Sequence, residues 1–231
     1  MIEVRNLEKR FGLKNILREL DFYVQPGEFV ALLGPNGAGK TTFLRILSSL
    51  ARFDRGDIRI SGYRLPTQAS IVRQSLGVVL HQPLLYGDLS AEENLSFYGR
   101  MYAISGLKDR IRDVLEIVGL KHRSFDLVRT YSRGMQQRLA IGRAILHDPQ
   151  VLLLDEPHTG LDQEACEMLD EVLMGVSSRG RTVVMTSHDL ERSAKLAWRF
   201  DVLAHGKIIA SATKAELDPN QLLGFYRQNL Q

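Results

Sequence analysis

Eight residues constrain the fold of this chain more than any others: Gly34 to Thr41, GPNGAGKT. They fit the pattern G-x-x-x-x-G-K-[ST], a loop whose glycines let the backbone turn tightly enough for successive N–H groups to face one anion. Lys40 adds a mobile cation for β- and γ-phosphates, and the Thr41 hydroxyl is a hard oxygen ligand suited to Mg²⁺. At average residue frequencies the pattern arises by chance in about one chain in a hundred of this length, the alternative being a glycine-rich turn. Its surroundings argue against chance. The apolar run EFVALLG enters the loop as a buried strand would, and TTFLRILSSL leaves it as an amphipathic helix with its positive end toward the anion.

A loop of this kind needs a sheet to carry it, and the remaining sequence supplies one. The segment IEVRNL (2–7) alternates as a half-buried strand, LDFYVQ follows, and Pro26-Gly27 turns into the strand before the loop. DIRIS (57–61), LGVVL (76–80), VLLLD (151–155) and TVVMTS (182–187) are further strands, the last three apolar enough to be covered on both faces in a parallel sheet. FDVLAHGKIIASA is predicted to be a hairpin turning at His205-Gly206. Between Gln82 and Asp148 the pattern becomes helical. Ser90 and Glu93 have capping-box spacing before AEENLSFYGRMYA, Gly106 precedes a second helix of alternating charge, and Ser132 opens a third reaching Ile145. The expected architecture is one α/β domain over 1–231: a core lobe at 1–82 and 148–231, and a helical lobe at 83–147.

Composition narrows the setting. The chain has 231 residues, 44% hydrophobic and 25% charged, an ordinary globular balance. No apolar run approaches the roughly 18–20 residues of a membrane helix, and MIEVRNLEKRFG has no signal-peptide core, so a cytoplasmic location is expected. Cys166 stands alone, which excludes an internal disulfide and suggests an inert thiol. The net charge of +3 is dispersed, with no basic tract for nucleic acid.

VLLLDEP places two acids at the end of a buried strand. Downstream of a phosphate loop, Asp155 is expected to hold Mg²⁺ through water and Glu156 to orient or activate the attacking water. His188, in TSHDL after another buried strand, is positioned to hydrogen-bond a γ-phosphate, although a histidine in such a turn is more often structural.

With these pieces in order, the whole chain resembles the ATP-binding subunits of ABC transporters. The resemblance implies a P-loop NTPase fold with a mainly parallel core sheet, an antiparallel β subdomain and an inserted helical lobe. It implies ATP and Mg²⁺ as cofactors and ATP hydrolysis coupled to transport. Phe11, in KRFG, stands where the family stacks an aromatic on adenine, the alternative being a core residue. Gly34, Pro35, Asn36, Gly37, Ala38, Gly39, Lys40, Thr41 and Thr42 match the Walker A loop. Gln82, in VVLHQP, matches the Q-loop glutamine that senses Mg²⁺ and the γ-phosphate; Thr41, Gln82 and Asp155 form the implied metal set. Asp155-Glu156 matches Walker B, and TGLD (159–162) the dimer-contacting D-loop, where Asp162 also suits a helix N-cap. His188 matches the switch histidine, leaving Glu156, His188, Gln82 and Lys40 as the implied catalytic group.

YSRGMQQR, Tyr131 to Arg138, matches the family's L-S-G-G-Q signature with changes. Ser132 and Gly134 keep the groups that meet the γ-phosphate held by a second protomer; Tyr131, Arg133 and Met135 depart from the pattern. The implied assembly is a head-to-tail homodimer, or a pair with another ATPase subunit, on integral membrane permease subunits. Membrane contact is then indirect, at the cytoplasmic face. Non-transport relatives carry coiled-coil insertions or fused ATPase halves, neither present here, and no Asn-Lys-x-Asp motif marks a switch GTPase. HQPLLYGDLSAEENLSFYGRMY and VRTYSRGMQQRLAIGRAILHDPQVLLLDEPHTGLD are similar to the haem exporter ATP-binding subunit of cytochrome c biogenesis. The alternative is an exporter of drugs, lipids or polysaccharides.

Overall fold

A computed structural model describes residues 1–80, 82–217 and 221–230. Its centre is a six-stranded sheet built from β3 (Phe29–Leu33), β6 (Leu76–Val79), β7 (Val151–Asp155), β8 (Thr182–Thr186), β9 (Arg199–Ala204) and β10 (Lys207–Thr213). The strand order is β10-β9-β3-β8-β7-β6. Pairing is parallel from β9 through β6, and only the β9–β10 edge is antiparallel. The sheet is therefore mainly parallel, as the apolar runs predict.

A second sheet is antiparallel throughout. It comprises β1 (Ile2–Phe11), β2 (Lys14–Val24), β4 (Arg55–Ile60) and β5 (Tyr63–Leu65), in the order β2-β1-β4-β5. β1 and β2 run further than the alternating segments 2–7 and 20–25 suggest. They continue through mainly polar residues, with Leu17 buried among them, as a hairpin whose register closes at Phe11 opposite Lys14.

Period-two alternation splits the central strands between two cores. Val30, Leu32, Val151, Leu153 and Val184 face the antiparallel sheet and α1 (Lys40–Leu47), against Phe43, Leu44, Ile58 and Ile60. Ala31, Leu33, Leu152, Leu154, Val183 and Met185 face the helices on the other side. Each fully buried Leu, Ile or Val there stabilises by about 1.5–3 kcal/mol, so the strands cannot slip register by one residue without exchanging the two cores.

Among the described residues, three α-helices lie between β6 and β7, α3 (Ala91–Met101), α4 (Leu107–Ile117) and α5 (Arg133–Ile145), with two single 3-10 turns at 121–123 and 128–130. α3 has the expected capping box, the Ser90 side chain accepting from the Glu93 N–H and the Glu93 carboxylate from the Ser90 N–H. Leu95, Val114, Leu139 and Ile145 join these helices to the sheet in one continuous apolar cluster. α6 (Gln163–Ser177) and α7 (Leu190–Leu196) follow β7 and β8, and α8 (Leu222–Leu230) packs Leu222 into the same cluster. α2 (Ala69–Ser75) and α8 have no counterpart in the sequence reading. α2 buries only Val72, too little apolar spacing for a periodic signal.

Candidate functional site

Because β3, β6, β7 and β8 are parallel, their C-terminal ends lie along one edge of the sheet. The loop at 34–39, Gln82, Glu156 and His188 all follow those ends, the usual address of a ligand in an open α/β sheet.

The phosphate loop turns as its glycines permit. Gly39 has φ +109° at the N-cap of α1, and a Cβ there would lie 2.9 Å from Leu17 Cδ2 and 3.2 Å from Ile16 Cγ2. The next residue, Lys40, is 5% exposed. Its ammonium donates to the carbonyls of Gly34 (2.7 Å) and Pro35 (3.2 Å) and sits 3.9 Å from Glu156 Oε1. Burial pushes this lysine below its ordinary pKa range, with the Glu156 and Asp155 carboxylates opposing. A cleft of ≈ 480 Å³ flanks the loop, lined among others by Lys14, Arg18, Pro35, Asn36, Gly37 and Ala38. Phe11 is 56% exposed, next to Lys14 in the hairpin register, with Lys9 Nζ 5.0 Å from its ring centre. The core reading of Phe11 is therefore wrong.

Asp155 and Glu156 diverge from the end of β7. Asp155 is buried, and its Oδ1 accepts from the hydroxyls of Thr41 (3.1 Å) and Thr186 (2.8 Å). Thr41 and Asp155 thus bring two hard oxygen groups together, a donor set that suits Mg²⁺, an ion usually held by one or two protein oxygens plus substrate phosphates. Gln82, the third residue of the implied metal set, is exposed.

Glu156 has φ +48°, the left-handed region, which costs a residue with a side chain roughly 1–3 kcal/mol. Thr186 holds it there: the Glu156 N–H donates to the Thr186 carbonyl (3.2 Å) and hydroxyl (2.9 Å). The turn aims the carboxylate at two partners, with Thr159 Oγ1 donating to Oε2 (3.2 Å) and His188 Nδ1 at 3.5 Å from the same oxygen. Lys40, Thr41, Asp155, Glu156 and His188 therefore form one cluster. Thr186 belongs to it as well, although sequence reasoning took it only as strand.

Ser132 and Gly134 lie in a second cluster, at the start of α5. Ser132 N-caps this helix, its Oγ accepting from the Met135 N–H (3.2 Å), so the hydroxyl proton remains free to donate outward. A Cβ on Gly134 would fall 2.7 Å from Ala165 Cβ, which packs the start of α5 against the first turn of α6. The three departures from the signature have separate structural reasons. Tyr131 is buried and its hydroxyl donates to the Arg123 carbonyl. Met135 packs against the apolar cluster. The Arg133 guanidinium lies over Gly160, so close that a Cβ there would be 2.3 Å from Nη1.

An ion cluster around one buried carboxylate beside the site has no signature in sequence. Asp170, on α6, is fully buried, and its oxygens accept from His158 Nε2 (2.8 Å), Arg192 Nη1 (2.9 Å) and Lys195 Nζ (3.4 Å). Burial alone would raise this carboxyl, but the His158 hydrogen bond and the two cations hold it below the usual carboxylate range. Only the residue's place on the buried face of α6, among Cys166, Leu169 and Leu173, could have revealed it.

A sequence model of the ABC transporter family matches residues 17–159. The linearmycin resistance ATP-binding protein LnrL of Bacillus subtilis is 37% identical over 94% of this chain and 70% of its own length. The Nod factor export ATP-binding protein I of Paraburkholderia xenovorans is 38% identical over 96% of this chain and 73% of its own. Among solved structures, the ATP binding subunit of an ABC transporter superposes with a TM-score of 0.84 at 30% identity, covering 98% of this chain and 94% of that one. A dimeric ATP-binding cassette in a post-hydrolysis state bound to ADP and Pi gives a TM-score of 0.83 at 26% identity, covering 93% of this chain and 99% of that one.

Proposed function

The chain belongs to the ABC transporter family as its ATP-binding, ATP-hydrolysing component, and from that premise we propose that it powers an exporter by ATP-driven closure of a head-to-tail dimer. The observation that carries the mechanism is the convergence of Lys40, Asp155, Glu156 and His188 at one sheet edge, with Glu156 between the lysine and the histidine. The loop from Gly34 to Thr42 surrounds the phosphates with N–H groups, and Lys40 moves its ammonium from the loop carbonyls onto the β- and γ-phosphates. Phe11 stacks on adenine. Glu156 takes the proton of the attacking water, and His188 orients the γ-phosphate against it. Thr41, Asp155 and Gln82 would hold Mg²⁺, which would neutralise developing phosphate charge. Ser132 and Gly134 complete the site of the partner protomer.

Coupling falls to permease subunits. No helix among the described residues is long and apolar enough to cross a membrane, and our reading places the chain on the cytoplasmic face through that partner. The segment 86–92 is the proposed contact, supported by the exposed Leu84, Tyr86 and Phe97 around it. The division into a core lobe (1–82 and 148–231) and a helical lobe (83–147) is part of the same proposal.

Two cargoes compete. Haem is supported by the resemblance of the 81–102 and 128–162 stretches to the cytochrome c biogenesis exporter. Export of drugs, lipids or polysaccharides is supported by relatives named for linearmycin resistance and Nod factor export, and is the reading we prefer. The composite site is tested by ATPase activity against protein concentration. Specific activity should rise with concentration or on adding the permease, and turnover by a demonstrated monomer, independent of concentration, would refute it.

A further inference from the structure

We propose that Asp170 is a positioning residue for ATP hydrolysis, a buried carboxylate that fixes from behind the two segments presenting Glu156 and His188. The inference rests on the roles given to those two residues above. One segment runs from Glu156 through Pro157 to His158, whose Nε2 donates to Asp170 Oδ1 at 2.8 Å. The following residue, Thr159, donates to Glu156 Oε2 at 3.2 Å, so anchoring His158 also fixes the hydroxyl that orients the base. The other segment is the start of α7. Arg192 donates to Asp170 Oδ2 at 2.9 Å; its own N–H donates to Asp189 Oδ1 at 3.0 Å, and its Nε lies 3.3 Å from Asp189 Oδ2. Asp189 is the N-cap of α7 and the neighbour of His188. One carboxylate therefore holds both halves of the Glu156–His188 contact.

The chemistry favours a directional role over a stabilising one. A buried carboxylate among cations gains little net stability over apolar packing of the same volume. This cluster also leaves His158 Nδ1 buried with no hydrogen-bond partner, a liability that an apolar residue would avoid. What the cluster provides is fixed geometry. Asp170 Oδ1 can only accept, so His158 carries its proton on Nε2. Arg192 Nη2 then reaches Gln163 Oε1 at 2.8 Å, fastening the segment after TGLD to the same group. One polar cavity is lined by Glu156, Thr159 and His188 together with His158 and Arg192, so the residues that hold Asp170 border the same space as the reacting side chains.

The test is steady-state ATPase kinetics together with nucleotide titration on the purified full chain, for Asp170→Asn, His158→Ala, His158→Gln and Glu156→Gln, with rates expressed per folded protein. A misplacement on the scale of an ångström can cost up to about a hundredfold in rate. Asp170→Asn and His158→Ala should lower kcat by about tenfold or more while ATP affinity stays within about twofold of wild type. His158→Gln, whose amide nitrogen can occupy the place of Nε2, should recover most of the rate. The His158 pair decides the matter even if Asp170→Asn does not fold. The inference is overturned if kcat in Asp170→Asn and His158→Ala stays near wild type while Glu156→Gln is inactive. It is equally overturned if rate and affinity fall together, or if His158→Gln is no better than His158→Ala. A Glu156→Gln protein with full activity would instead overturn the underlying assignment of the base.

Discussion

Replacing Thr186 by valine keeps the shape of a fully buried side chain and removes one hydroxyl. That hydroxyl donates to the Asp155 carboxylate at 2.8 Å and accepts from the Glu156 N–H at 2.9 Å. A hydrogen bond to a charged group is worth about 1.5–3 kcal/mol. The second loss is smaller, because the Glu156 N–H keeps the Thr186 carbonyl at 3.2 Å, and Asp155 Oδ1 keeps the Thr41 hydroxyl at 3.1 Å. The net cost should be about 2 kcal/mol, against the 5–15 kcal/mol by which domains are usually stable. With a urea dependence of about 2–3 kcal/mol per molar, the unfolding midpoint should fall by about 1 M. The rate should suffer as well. Thr186 holds Glu156 in its left-handed turn, so kcat should drop by about tenfold, as expected of a displaced base. ATP affinity should change little, since Lys40 and the phosphate loop are untouched. Urea unfolding followed by circular dichroism, with ATPase kinetics on the same preparation, measures both. An unchanged midpoint with wild-type kcat would refute the claim that this hydroxyl organises the acidic pair.

Other perturbations test separate parts of the site. Phe11→Ala should weaken ATP binding in a titration by about 0.5–1.5 kcal/mol, an aromatic stacking contribution, without altering kcat at saturating ATP; unchanged affinity would remove the residue from the adenine site. Arg133→Gly and Gly160→Ala should be non-additive in a stability cycle, coupled by about 0.5 kcal/mol or more, because the guanidinium occupies the space a methyl at 160 needs; simple additivity would mean the start of α5 does not touch the loop at Gly160. The pH prediction concerns Asp170, whose folded pKa is held below its unfolded value. Its contribution is complete above the unfolded value of about 3.9 and is lost as pH falls through the folded one. The stability gap between wild type and Asp170→Asn, from urea unfolding, should therefore be constant near neutrality and close only below about pH 4. A gap that widens on acidification would contradict that sign.

What the sequence revealed depended on whether a residue's reason lay near it in the chain. The phosphate loop, the capping box at Ser90 and the apolar strands β7 and β8 are local: glycine conformations, i to i+3 side-chain bonds and unbroken Val/Leu runs. So were the loops after those strands, because parallel pairing puts every strand end on one edge. The continuation of β1 and β2 to the Phe11–Lys14 turn was not legible, since most of those residues are polar and only Leu17 among them is buried, too few for an alternating signal. Thr186 reads as a strand residue until the register places it beside Asp155. Asp170 and Arg192 resemble solvated helix charges, and only the packing of α6 against α7 buries them around His158. Tyr131 and Met135 look like damage to a phosphate motif, yet both point into the core beside it.

The most direct test of the account is the Glu156→Gln protein with ATP, followed by light scattering and by the fate of the nucleotide. The substitution keeps the shape of the side chain, removes the base and removes a negative charge 3.9 Å from Lys40. If Glu156 activates water in a site completed by Ser132 and Gly134 of a second protomer, ATP should persist and the mass should double at fixed ATP and salt. Removing ATP should restore the lighter species. Hydrolysis at the wild-type rate by a protein that remains a monomer would contradict both the base and the composite site.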